Sequence, residues 1–153
     1  MGEVWRPHVT VAAVIEREGR FLFVEEETEF GVRLNQPAGH WEPGESLVDA
    51  VVRETLEESR LRFAPNAVVG VYHWTRPDGA LTYLRFAFSG KVTGEEPDRA
   101  LDEGILRTLW LAPEEVEAAG REGRLRSPMV LACVRDWREG RRYSLDLIRY
   151  LAG

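Results

Sequence analysis

Glu54, Glu57 and Glu58 lie close together in the stretch "GHWEPGESLVDAVVRETLEESRL", residues 39–61. If that stretch is helical, spacings of three and four bring the three carboxylates within about 100° of arc. Like charges so placed repel and weaken a helix. A solvated charged face is the ordinary meaning of an acidic run, but such a face favours interleaved cations. Only Arg53 and Arg60 fall in the last two turns. Clustered hard oxygens are also what Mg²⁺ or Mn²⁺ requires, and a divalent ion would offset the repulsion and attract a diphosphate. A metal at such a site acts as Lewis acid, orienter and activator of water.

The elements that must position these acids follow from pattern. Ser46 is a good N-cap, with Asp49 three residues on. Leu47, Val48, Val51, Val52, Thr55 and Leu56 then form a broad apolar face at about 100° per residue, which the acids adjoin without overlapping. The preceding loop "QPAGHWEPGE" is rich in glycine and proline, so its carbonyls can turn toward the helix. Before it, "HVTVAAVIE" and "RFLFVEEE" read as a hairpin about "REG", with a looser segment over 28–38. After it, "AVVGVYHWT" and "TYLRFAFSGKV" read as a second hairpin across "RPDGAL". A loop "TGEEPDRALDEG" precedes the strand "ILRTLWL". "APEEVEAAGREG" is a short helix, and Ser127 with Pro128 starts a last one. The sum is a mixed α+β architecture, expected as one domain over 1–153 with its core at about 7–150.

Composition sets the bounds. With 44% hydrophobic and 30% charged residues the chain can build a core beneath an ordinary polar surface. A net charge of −6 argues against broad adhesion to nucleic acid or anionic membrane, although a bound cation can reverse the local sign. Cys133 is the sole cysteine, which excludes an internal disulfide and disfavours a zinc cluster. The N-terminal residues lack the features of a secretory signal, and no stretch of about 18 apolar residues occurs. A cytoplasmic location is expected.

Gly39, Glu45, Arg53, Glu54, Glu57, Glu58 and Leu61 stand at the intervals of the Nudix box, with Thr55 at its first aliphatic position and Arg60 in place of its terminal glycine. The chain thus resembles the Nudix hydrolases. "PHVTVAAVI", "VEEET", "NQPAGHWEPGE", "LRFAF" and "LRSPMV" extend the likeness toward the NudJ-type phosphatases, which act on nucleoside tri- and diphosphates and thiamine-related pyrophosphates. The resemblance implies an α/β/α sandwich on a mixed β-sheet, a divalent metal (Mg²⁺, with Mn²⁺ possible) and phosphoanhydride hydrolysis by metal-activated water. It implies metal ligation by Glu54, Glu57 and Glu58 with the Gly39 carbonyl, and by Glu45 directly or through water. Arg53 would orient a box carboxylate. The general base would be Glu57, Glu58, Asp102 or Glu103. The partner would be a small nucleotide or pyrophosphate, with the protein a monomer or homodimer. Two alternatives are another Nudix specificity, for oxidised nucleotides or ADP-ribose, and a non-catalytic ligand-binding module.

Other residues have weaker claims. Arg33, Asn35 and Gln36 immediately precede the box and could reach a phosphate or base edge, or simply hydrogen-bond a loop. In "VYHWT" the pair Tyr72 and Trp74 alternates with Val71 and His73, so one set could face a substrate ring; core packing is the ordinary use. His40 and Trp41 sit beside the box glycine, and Glu103 in the loop before "ILRTLWL". Two outcomes are open for Arg60: a turn there with positive φ, or a helix that continues through it.

Overall fold

The computed structural model describes residues 2–153. Eight strands and three α-helices follow one another as β1 (His8–Val14), β2 (Glu16–Arg17), β3 (Arg20–Thr28), β4 (Gly31–Asn35), β5 (Ala38–His40), α1 (Leu47–Ser59), β6 (Leu61–Thr75), β7 (Thr82–Glu95), β8 (Ile105–Leu111), α2 (Pro113–Arg121) and α3 (Pro128–Arg138), with a 3-10 turn at Leu145–Leu147. None of the helices is long and apolar enough to cross a membrane.

The strands make two sheets. The first has the order β5-β1-β7-β6 and is mixed, because β1 and β7 run parallel while the other pairs are antiparallel. In the second, β3 pairs with β2 and β4 and also with β8, all antiparallel. Alternation along β1 and β3 divides the interior between two helix layers. Val11, Ala13, Ile15 and Leu22 pack with Ala50 and Val51 of α1. Ala12, Val14, Phe21 and Phe23 pack with Val116 and Ala119 of α2 and Val130 and Cys133 of α3. The result is the α/β/α sandwich expected from the sequence.

The first hairpin differs from expectation. Residues 8–16 and 20–27 do not pair along their length. Val11 to Ile15 are all at most 2% exposed, and a run buried on both faces belongs inside a sheet. β1 accordingly lies between β5 and β7. The turn at Glu18 and Gly19, both with positive φ, closes only the two-residue β2 onto β3. The looser segment contains β4, held mainly by its pairing with β3. β6 begins at Leu61, earlier than its apolar pattern, because bulges around Phe63, Pro65 and Val68 absorb the residues that break alternation.

Helix α1 starts and ends as its residues dictate. The Ser46 side chain accepts from the Asp49 amide at 3.0 Å. Thr55 is buried at an aliphatic position because its hydroxyl donates to the Val51 carbonyl at 2.7 Å. The helix stops at Arg60, which adopts φ 65°, ψ 10° while its amide donates to the Leu56 carbonyl at 2.9 Å. Of the two outcomes for Arg60, the chain takes the left-handed turn, where a non-glycine residue is strained by about 1 kcal/mol.

Candidate active site

The C-terminal half of α1, strand β5 and the loop after β7 converge on one acidic cluster. Glu54 and Glu58, one turn apart, are each only 8% exposed. Carboxylate oxygens of Glu54, Glu57 and Asp102 lie within 4.8 Å of one another. Asp102 is brought there by backbone pairing: its amide donates to the Glu57 carbonyl at 3.1 Å, filling an acceptor that the helix end leaves open. Upstream, the Glu96 amide donates to the Arg60 carbonyl at 2.8 Å, and the Arg60 side chain donates to the Arg99 carbonyl. Arg60 thus ties the loop carrying Asp102 to the helix. Glu103, next along that loop, is exposed.

Arg53 is the cation inside the cluster. It grips Glu45 in a bidentate fork, Nε to Oε2 at 3.0 Å and Nη2 to Oε1 at 2.7 Å. Its Nη1 donates to Glu54 Oε1 at 2.8 Å and Glu57 Oε2 at 3.3 Å, and Nη2 also donates to the His40 carbonyl at 3.1 Å. Glu45, expected among the metal ligands, directs both its oxygens to this guanidinium. Glu58 sits deeper, with Oε1 accepting from the Ala38 amide at 3.0 Å. Gly39 lies against Glu54: a Cβ on Gly39 would stand 2.2 Å from the Glu54 carboxyl carbon. The absence of a side chain is what lets that carboxylate lie on β5.

Electrostatics follow from this crowding. Burial, with Arg53 opposing it, pushes the Glu54 carboxyl up to about 7. Burial pushes Glu58 up to about 9 against the Ala38 amide, with Glu26, Glu54 and Asp102 adding repulsion. Glu57 is raised by burial and then by Asp102. Glu45 moves down, chiefly because Arg53 bonds its charged form, and Arg53 itself is held well above the usual arginine range by Glu45. These groups share a shortage of positive charge, and their donors are all oxygen. A hard divalent cation fits that set.

A cavity of about 490 Å³ opens beside the cluster at Ala38, Gly39 and His40. β6 and β7 contribute Trp74, Arg76, Tyr83 and Arg85 to its wall, and Phe30, Arg126 and Met129 close other sides. Trp74 and Tyr83 stack with centroids 5.9 Å apart. Trp74 therefore lines an open space, whereas Tyr72 donates its hydroxyl to Asp136 at 2.8 Å. His40 contacts His8 through ring nitrogens 3.0 Å apart and is held below the ordinary histidine value by burial first, then by His8 and Arg126. Gln36 is buried away from solvent, donating to the Val130 carbonyl at 2.8 Å. Arg33 folds back on its own strand, donating to the Val32 carbonyl at 3.0 Å. Thr10, Arg85, Tyr83 and Arg126 were not singled out from the sequence. The one signal was an arginine inside the otherwise apolar "LRFAF".

The fold and this acidic helix define a class. The NUDIX domain model matches residues 5–131, and the chain belongs to that family of phosphohydrolases. It is 38% identical over 145 residues to phosphatase NudJ of Escherichia coli K12, covering 95% of this chain and 92% of that one. Phosphatase NudJ of Shigella flexneri matches equally. Among solved structures, a NUDIX hydrolase from Nitrosomonas europaea superposes with a TM-score of 0.90 at 47% identity, covering 95% of this chain and 98% of that one. A MutT protein from Methanosarcina mazei Go1 shares the fold at a TM-score of 0.70 and 24% identity, covering 90% and 99%.

Proposed function

We propose that this protein is a Mg²⁺-dependent hydrolase of phosphoanhydride bonds in nucleoside tri- and diphosphates or thiamine-related pyrophosphates, with Mn²⁺ as a substitute cation. The observation that carries the reading is the meeting of Glu54, Glu57 and Asp102 oxygens within 4.8 Å, with Gly39, against which Glu54 lies, lining the adjoining cavity. Those three carboxylates, with Glu58 behind them and the Gly39 carbonyl, would hold the cation. When bound, it would supply Lewis acidity toward the diphosphate and an activated water.

The chain's own residues do the positioning. Arg53 holds Glu54 and Glu57 from one side, leaving Glu54 Oε2 and Glu57 Oε1 clear of the guanidinium. Glu45 fixes Arg53 through the bidentate fork, a geometry that lysine does not reproduce. Among the acids near the reacting centre, Glu57, Glu58 or Asp102 would accept the proton of the attacking water. Similarity to phosphatase NudJ supports a phosphatase outcome. In this reading residues 1–153 act as one unit in the cytoplasm on a small molecule, with no nucleic-acid or membrane partner.

The test is phosphate and pyrophosphate release from a panel of nucleoside tri- and diphosphates and thiamine diphosphate, with EDTA, Mg²⁺ or Mn²⁺. Metal-dependent turnover of at least one substrate is expected. Metal binding without turnover of any of them would replace the hydrolase reading with a ligand-binding one.

A further inference from the structure

Strands β1 and β5 pair antiparallel, with Thr10 opposite His40. His8, two residues before Thr10, stands on the same face and diagonally across from His40, a separation that ring side chains span. The two rings meet: His8 Nδ1 and His40 Nε2 are 3.0 Å apart, and the ring centroids 5.2 Å. That contact is the single side-chain hydrogen bond of either ring among the described residues, which leaves His8 Nε2 and His40 Nδ1 unpartnered. The pair faces a cleft of about 340 Å³ that Arg6, Pro7, Val9 and Trp41 also line. His8 is in register with Tyr83 and Trp74, so His73, next to Trp74 on β6, projects from the opposite face of the sheet. The chain has three histidines, and only these two come together.

This pair and the acidic cluster differ in donor chemistry. Glu54, Glu57 and Asp102 offer only oxygen, which suits Mg²⁺. The histidine pair offers only nitrogen, which suits Zn²⁺, Ni²⁺ or Cu²⁺. Two nitrogens each about 2.0 Å from one ion stand about 3.3 Å apart at a tetrahedral angle and about 2.8 Å apart at a right angle. The observed 3.0 Å falls between these. An ion would sit off the line joining the nitrogens, on the side of the cleft. No carboxylate or carbonyl holds either ring among the described residues, so both can tilt toward it. The proton now shared between the rings would move to the free nitrogen of the ring that donates it, and both imidazoles would stay neutral. Arg6 also borders the cleft, but it is exposed and water screens its charge.

We propose that His8 and His40 together bind a borderline transition cation, Zn²⁺, Ni²⁺ or Cu²⁺, at a site separate from the acidic cluster. The two imidazoles supply two ligands, and water from the open cleft completes the coordination. His40 lines both this cleft and the larger cavity, so the ion stands on their common wall. The chain would then sort two kinds of cation by donor type, hard ions to the helix carboxylates and softer ions to the strand histidines. The inference concerns binding alone and does not rest on the hydrolase reading.

The test uses the full chain at about pH 8, where an unperturbed histidine is neutral, with Mg²⁺ in excess to occupy the carboxylates. Cu²⁺ is added and its ligands are read by electron paramagnetic resonance. The wild type should show coupling to two imidazole nitrogens, a signature that the all-oxygen cluster cannot give. His8→Gln and His40→Gln should each leave no more than one, and His73→Gln should leave both. Zn²⁺ titrated by calorimetry under the same conditions should bind each of the first two variants at least about tenfold more weakly than the wild type. A wild-type spectrum with oxygen ligands alone or a single nitrogen would overturn the site without recourse to any variant. Zn²⁺ affinity that is unchanged in both His8→Gln and His40→Gln, or that falls instead in His73→Gln, would overturn it equally.

Discussion

The acidic edge of α1 and the cavity beyond Gly39 share a border but are built on opposite plans. At the helix, charge is abundant and local: Arg53 sits among Glu45, Glu54 and Glu57, all within thirteen positions of one another. In the cavity, Arg85 is held by two neutral amides from a distant part of the chain, and the walls come from seven different strands and helices. The first region concentrates negative charge as if for a cation common to all substrates. The second distributes flat surfaces, which suit one kind of ligand above another. Reaction and selection would then be separable.

Four experiments would break or sharpen that separation. Glu58→Gln should lower turnover about 10²- to 10⁴-fold on every substrate alike. The amide oxygen can still accept from the Ala38 amide, so folding persists; a change of preference rather than of rate would break the division. Gly39→Ala places a Cβ where the Glu54 carboxyl carbon is only 2.2 Å away. Since φ there is not in the left-handed region, the clash acts alone. Turnover should fall about 10- to 100-fold, and a wild-type rate would show that Glu54 need not lie on β5.

Arg60→Gly should have a smaller effect. Glycine accepts the left-handed turn without strain, so the melting temperature should hold or rise. Loss of the side-chain bond to the Arg99 carbonyl should loosen the loop bearing Asp102. The Mn²⁺ concentration giving half-saturation, read by electron paramagnetic resonance, should rise about threefold. An unchanged value would reduce Arg60 to a tolerated strain. The mildest effect is on stability against pH. Glu58 is pushed up to about 9 and Glu54 to about 7, so folding favours their protonated forms. That contribution is complete below the ordinary carboxylate value of about 4.5 and is lost as pH rises toward 9. In EDTA, the wild type should lose melting temperature relative to Glu58→Gln between pH 5 and 9, on the order of 5 °C. Saturating Mg²⁺ should remove the difference, and parallel curves without metal would mean that Glu58 is already charged.

How much was legible depended on whether partners were near in sequence. The Ser46 cap, the apolar face of α1, the Ser127–Pro128 start of α3 and the crowding of Glu54, Glu57 and Glu58 all follow from short spacings that helix geometry converts directly into proximity. The acids adjoin the apolar face, but nothing local shows that Glu54 and Glu58 are buried, because that depends on β5 arriving across them. The first hairpin was misleading for a similar reason. A turn at Glu18 and Gly19 is visible, but the choice of β5 and β7 as partners of β1 is a contest among distant strands. Gln36 looked available beside the box, yet the packing of α3 draws it inward to Val130.

The sequence by itself determined the acidic helix, its cap and the crowding of its carboxylates, since these rest on periodicity and spacing within a few turns, while the sandwich around it and its metal chemistry were what the resemblance to the Nudix hydrolases implied. Only the tertiary structure decided the rest. It carried Asp102 to Glu54 and Glu57 through a backbone bond to the helix end, turned Glu45 onto Arg53, and set Thr10 beside Arg85 with Trp74 near them. Strand register places residues far apart in the chain side by side, and a linear pattern carries no information on which strand will arrive alongside.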